Sequence, residues 1–417
     1  MNFIDAGRLD TVTFGRRTLG PILAEFCLRL WLFERFLPPD DTVLLFCARG
    51  GLRLQRAYER FLAQTELPQR VPHASLMVSR LVAARTAFNP PRSGVLSELG
   101  REFRGQSMAH VAAALAQRED LALPEPWNAP FETSAFVALL SDDNPGVAAL
   151  HAAVAEQDNL FRAHLAASAG GARHCMLVDT GLYGSTLRML QEGVPERTWS
   201  GLQFARCNYK RLPTPHFART IGLSVESDWY KPWDSRTSAL RFWQLIEACL
   251  EPDLSSVCTF SPTASGAPRA NLQVNGWEDR IVPEEPGLFT GVLGYIEGLG
   301  PETVHTIADD AARAWDALKE AVVWPDDRTV TTLSLGGRSR DFGRTELSAQ
   351  FADARSRHLL GQIRDSLWRE GALVRSFPRL GRFMLPVVEL VYAKRALGFE
   401  LSTRLKRRRR SASEAER

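Results

Sequence analysis

Two glycine-bearing runs carry residue types suited to phosphate chemistry. The first is Arg49-Gly50-Gly51, directly after the apolar run TVLLFCA. The second is Asp179-Thr180-Gly181-Leu182-Tyr183-Gly184-Ser185-Thr186, directly after HCMLV. Residues at helical spacing follow both, so each reads as a strand, a turn and a helix start. A helix N-terminus offers unpaired N–H groups and a partial positive charge, which suit an anion. Glycine lets the backbone come close to that anion. Ser185 and Thr186 add hydroxyl donors, and Arg49 can grip a phosphate with two parallel hydrogen bonds. Asp179 can hold ribose hydroxyls or a Mg2+-bound water. The plainer alternatives are a tight βα turn at Arg49 and a helix cap supplied by Ser185 or Thr186.

Other residues carry similar alternatives. Glu247 lies in a helical run beside Trp243, Leu245 and Ile246. Buried there, it would suit acid–base work; exposed, it is an ordinary helix residue. Asp228-Trp229-Tyr230-Lys231-Pro232-Trp233 offers an aromatic platform for a base or sugar, although packing of a loop onto the core is the commoner use of such a run. His174 opens a strand and reads as structural. The six Cys, at 27, 47, 175, 207, 249 and 258, form no CxxC pair, and no His cluster has metal spacing. No protein metal site is expected, and the thiols read as free in a reducing cytosol.

The elements that must position these residues follow from periodicity. Apolar spacing predicts a helix over 17–38, a buried strand over 42–48 and a helix from Leu52. A second strand is expected over 74–79, ending at Ser79-Arg80. Residues 81–165 are rich in helix formers and broken at Pro90-Pro91, Pro124-Glu125-Pro126 and Asn144-Pro145, which reads as a helical insertion. Strands over 174–178, 200–208 and 219–225 and a helix over 237–250 complete an α/β pattern with a mostly parallel sheet. Residues 261–286 look loop-like, 288–323 helical with a break at Gly298–Pro301, 325–345 irregular, 346–371 an amphipathic helix, and 380–405 a last ordered segment.

VLLFCARGGLRLQRAYERFL resembles the pyrophosphate-loop unit of type I phosphoribosyltransferases, and CMLVDTGLYGSTLRML resembles their phosphoribosyl-pyrophosphate loop. The resemblance implies a phosphoribosyltransferase-like fold. Arg49, Gly50 and Gly51 would cradle pyrophosphate, and Asp179 would hold ribose or Mg2+. Gly184, Ser185 and Thr186 would hold the 5′-phosphate, and Thr180, Gly181 and Tyr183 of the same loop would contact the substrate. Val178 stands where that family has its first acid, and Tyr183 where it has its first Thr. Ser79-Arg80 would match the strand end before the family's mobile loop. The order GPILAEFCLRLWL, FCARGG, MVSRLVAART, VDTGLYGST and LIEACLEPDLSS, spread over roughly 15–260, also resembles the region C-terminal to the phosphatase module of bacterial haloacid-dehalogenase-like proteins associated with surface polysaccharides. The phosphatase nucleophile run is absent, since RLDTVTF has one Asp and no apolar strand before it. The implied functions are binding, with sugar transfer, of a phosphorylated sugar or nucleotide; a non-catalytic role in polysaccharide assembly at the inner membrane; or hydrolysis, which lacks a visible nucleophile.

The chain has 417 residues, 45% hydrophobic and 24% charged, which excludes a largely disordered chain, a collagen and a small disulfide scaffold. An α/β domain over 1–260, a helix-rich region over 261–403 and a basic disordered tail over 404–417 are expected. That tail holds seven basic and two acidic residues; the rest balances 44 basic against 46 acidic, so no specific nucleic-acid surface is indicated. The apolar and basic run 382–410 suggests peripheral contact with an anionic membrane, against a core-docked helix with a solvated tail. No signal peptide or spanning helix is expected, and the expected location is cytoplasmic.

Overall fold

The computed structural model describes residues 10–212, 215–335, 338–339, 347–351 and 359–415. Among them, five strands form one all-parallel sheet: β1 (Thr42–Cys47), β2 (His73–Leu76), β3 (His174–Leu182), β4 (Thr198–Arg206) and β5 (Thr220–Glu226). The spatial order is β2-β1-β3-β4-β5. The chain leaves β1 towards one edge through the helix Gly50–Thr65, and leaves β3 towards the other through the helix Ser185–Gly193. The connections therefore diverge between β1 and β3, where an α/β sheet opens a crevice at its carboxyl ends.

β1 is buried along its whole length, as a central parallel strand covered on both faces must be. Leu44, Phe46, Met176 and Val178 face a core that includes the helices Gly20–Glu34 and Ile307–Val323. Val43, Leu45, Cys47, Cys175 and Leu177 face the helices between β2 and β3. The expected insertion over 81–165 is helical, running from Arg80–Thr86 to Pro145–Ala169. Residues on both sides of position 260 share the first of these cores.

One buried carboxylate ties distant parts of that core together. Glu25 receives Arg236 through both oxygens at 2.7 Å, Arg29 at 2.8 Å and Trp315 Nε1 at 3.1 Å.

Several elements differ from the sequence expectation. β2 ends at Leu76, and Ser79 instead caps the helix Arg80–Thr86 by accepting from Val82 N at 3.2 Å. β3 runs on through Leu182, because Asp179, Gly181 and Leu182 pair with Gln203, Ala205 and Arg206 of β4. Only Tyr183 and Gly184 separate it from the next helix. The loop-like stretch 261–286 contains the hairpin strands β6 (Phe260–Pro262) and β7 (Pro268–Ala270). Within the helix expected over 346–371 lie a short strand at Leu347–Ser348 and helices at Leu359–Asp365 and Arg369–Ser376, while 346 and 352–358 lie outside the described residues. The backbone is helical from Pro378 to Ala415.

Candidate functional site

The carboxyl ends of β1 and β3 are neighbours, with Phe46 paired to Val178. Both glycine turns leave the sheet there and line one cleft of about 300 Å³. Arg49 and Gly50 line it from the first turn, and Asp179, Thr180, Gly181, Tyr183, Gly184, Ser185 and Thr186 from the second. Ser79, Arg80, Glu247 and Glu251 also line it. The turns touch each other: a Cβ on Gly50 would stand 2.6 Å from Thr180 Cγ2. Gly181, at φ 126°, leaves no room for a Cβ, which would lie 2.1 Å from the Ala205 carbonyl oxygen. Gly184, at φ 75°, precedes the first turn of the helix Ser185–Gly193.

Gly51 is the predicted site residue that does not line the cleft. It faces the sheet, where a Cβ would meet Phe46 C and Val178 O at 2.9 Å, so it lets helix and strand approach closely. Val178 is fully buried in the sheet and brings no second acid. Ser79 is engaged in structure, donating to Val257 O at 2.6 Å. The Tyr183 ring is buried against His216, 5.1 Å between centroids, and its carbonyl accepts from His216 Nε2 at 2.8 Å. Glu247 is largely buried and accepts from Trp243 Nε1 at 2.9 Å. The Asp228–Trp233 run packs away from this cleft, with Trp229 against Phe399 of the last helix.

The cleft holds charges of both signs. Burial raises the Asp179 carboxyl to about 6; the Thr180 N–H, donating at 2.8 Å, opposes this and the Glu251 charge adds to it. Glu251 pairs with Arg49 at 3.3 Å, so the cation expected to meet a phosphate already has a carboxylate partner. Arg80 pairs with Glu102 at 3.2 Å. Burial and the Asp179 charge push the Cys47 thiol up, which keeps it protonated.

Sequence reasoning did not single out Glu251, Tyr209 or Lys210. Lys210 Nζ donates to Ser185 Oγ at 2.6 Å and lies 2.8 Å from Glu98 of the helical insertion. Burial lowers its ammonium to about 8 against the opposing pull of Glu98. Its ammonium also sits 4.0 Å from the centre of the Tyr183 ring. A buried cation thus holds the first hydroxyl of the helix that follows Gly184. Glu98 and Lys210 are 112 positions apart, and no local pattern links them. Chemically, the cleft combines the N-terminus of the helix Ser185–Gly193, an Arg and Gly turn and an adjacent carboxylate of raised pKa. No family model and no curated protein matches the chain.

Proposed function

We propose that the cleft binds a sugar carrying phosphate at both ends, of the phosphoribosyl pyrophosphate type. The observation that carries this reading is the convergence of two glycine turns, 130 residues apart from Arg49 to Asp179, at adjacent strand ends where the sheet connections diverge. The 5′-phosphate would sit on the amides and hydroxyls of Gly184, Ser185 and Thr186. Arg49, released from Glu251, would meet the pyrophosphate beside Gly50. Ionised Asp179 would accept from the ribose hydroxyls.

Mg2+ is held by one or two carboxylates and keeps several waters and phosphate oxygens as its other ligands. Asp179 with Glu251 suits that role, and among the described residues no group of three or more His, Cys, Asp and Glu forms a metal cage. When bound, Mg2+ would neutralise pyrophosphate charge. With an acceptor present, transfer would be a displacement at the anomeric carbon. The acceptor's lone pair forms the new bond, the C–O bond breaks with its electrons leaving on pyrophosphate, and Glu247 takes the acceptor's proton. Arg49 and the turn amides would stabilise the departing charge.

Calorimetric titration with phosphoribosyl pyrophosphate and Mg2+ tests the reading, with ribose 5-phosphate as comparison. The full ligand is expected to bind more tightly than ribose 5-phosphate, because only it reaches Arg49. Combining Asp179→Asn with Thr186→Ala is expected to abolish the heat of binding. Equal binding by this variant would defeat the assignment.

A further inference from the structure

The helix Pro378–Ala415 presents two different sides. Its inner side is fixed to the body: Tyr230 Oη donates to Glu389 at 2.6 Å, Arg241 covers the Tyr392 ring at 3.6 Å, and Leu385 and Ala396 are buried. Its outer side is apolar and open. Leu380, Phe383, Val387, Leu390, Leu397 and Leu401 recur at three- and four-residue steps, with Lys394 filling the one gap. Phe383 is 82% exposed and Leu390 70%, values that leave these rings and branches in water. A contiguous stripe of this kind marks an interaction surface.

The charges indicate what covers it. The exposed charged residues of 378–404 are Arg379, Arg382, Lys394, Arg395 and Arg404. The two acids are turned to the body, Glu389 by Tyr230 and Glu400 by Lys231, whose ammonium lies 3.8 Å away. The sequence then adds Lys406 and Arg407–Arg410. A second copy of the helix would bring like charges together, and the positions flanking the stripe (Met384, Pro386, Val391, Ala393) offer no opposite charge to pair across a seam. An apolar face rimmed by cations matches an interface of acyl chains and anionic headgroups. No helix of the described residues is long and apolar enough to cross a membrane, so the geometry is that of lying on the surface.

We infer that the outer face of the helix Pro378–Ala415 docks the protein onto an anionic lipid surface, independently of what the cleft binds. The test is flotation of the full chain with vesicles of phosphatidylcholine alone or mixed with phosphatidylglycerol. The bound fraction is expected to rise about tenfold with the anionic lipid and to fall as salt is added. Phe383→Glu with Leu390→Glu, both on the open side, should remove binding while leaving the unfolding midpoint unchanged. As a second variant, Arg379→Gln with Arg382→Gln and Arg395→Gln should weaken binding to anionic vesicles. Three results would overturn the inference: equal binding to both vesicle types, no binding to either, or a free chain that sediments as a dimer and is split by the Glu substitutions.

Discussion

At the scale of one residue, Asp179 sets folding against binding. Its carboxyl is raised from 3.8 to about 6, chiefly by burial. Holding it ionised therefore costs about 2 kcal/mol at neutral pH, after allowing for contact with water in the cleft. The sign is fixed by linkage. Below the ordinary carboxylate range both folded and unfolded chains are protonated and nothing is lost; between that range and about pH 6 the penalty grows, and above it the penalty is complete. Asp179→Asn is therefore expected to be more stable than the parent at pH 7, by about 2 kcal/mol in urea unfolding, with the advantage gone near pH 4. Ligand affinity should show the opposite trend in the parent, weakening as pH falls through about 6 and the carboxylate is neutralised. A variant no more stable than the parent at neutral pH would mean that the carboxylate is well hydrated. Glu251 contributes to the raised value, so Glu251→Gln should move the midpoint of the binding profile to lower pH.

At the scale of elements, the cleft depends on how closely the start of the helix Gly50–Thr65 approaches the end of β3. A methyl on Gly50 would collide with Thr180 Cγ2 at 2.6 Å and push the two turns apart. Gly50→Ala is expected to weaken ligand binding by about tenfold and to cost about 1–3 kcal/mol of stability. Thr180→Ser removes the colliding methyl while keeping the hydroxyl near Asp179. The double variant should regain most of both losses, a non-additivity expected only for residues in contact. Additive losses in a double-mutant cycle would show that the turns are not packed as described. Much of this arrangement was legible in the sequence, because central parallel strands read as unbroken apolar runs and TVLLFC and HCMLV are such runs. The length of β3 was not, because Asp179 and Gly181 are types depleted in strands and pairing with β4 keeps them extended. Nor was the Glu98–Lys210–Ser185 chain, whose members meet only after the insertion folds back over the sheet. The apolar pattern over 346–371 was overridden for a related reason. Gln350 bonds to the Leu333 carbonyl and the Leu335 amide, anchoring an irregular segment rather than a helix.

At the scale of the whole molecule, the C-terminal helices and the N-terminal helix close one face of the sheet as a unit, and Glu25 is where they meet. Its carboxylate joins the helix Gly20–Glu34 to Arg236 beyond β5 and to Trp315 of the helix Ile307–Val323. Burial alone would raise its pKa; the paired guanidinium of Arg236, the Trp315 N–H and Arg29 together outweigh that and lower it. A lowered folded-state pKa gives a contribution that is present above the ordinary carboxylate value and is lost as pH falls through the folded value. Removing one partner of such a network leaves buried groups unsatisfied, at a cost of about 3–5 kcal/mol. Glu25→Gln is therefore expected to lower the urea midpoint strongly at pH 7. The gap to the parent should shrink as pH falls, because the parent then loses the same ionic contacts. Tryptophan fluorescence, to which Trp315 and Trp368 of this core and Trp127 and Trp199 of the other contribute, and far-ultraviolet dichroism should shift together. Non-coincident transitions of the two signals would show that part of the chain unfolds apart from the rest. Since Glu25 lies on the face away from the helical insertion, ligand binding at 25 °C should survive the substitution wherever the chain remains folded.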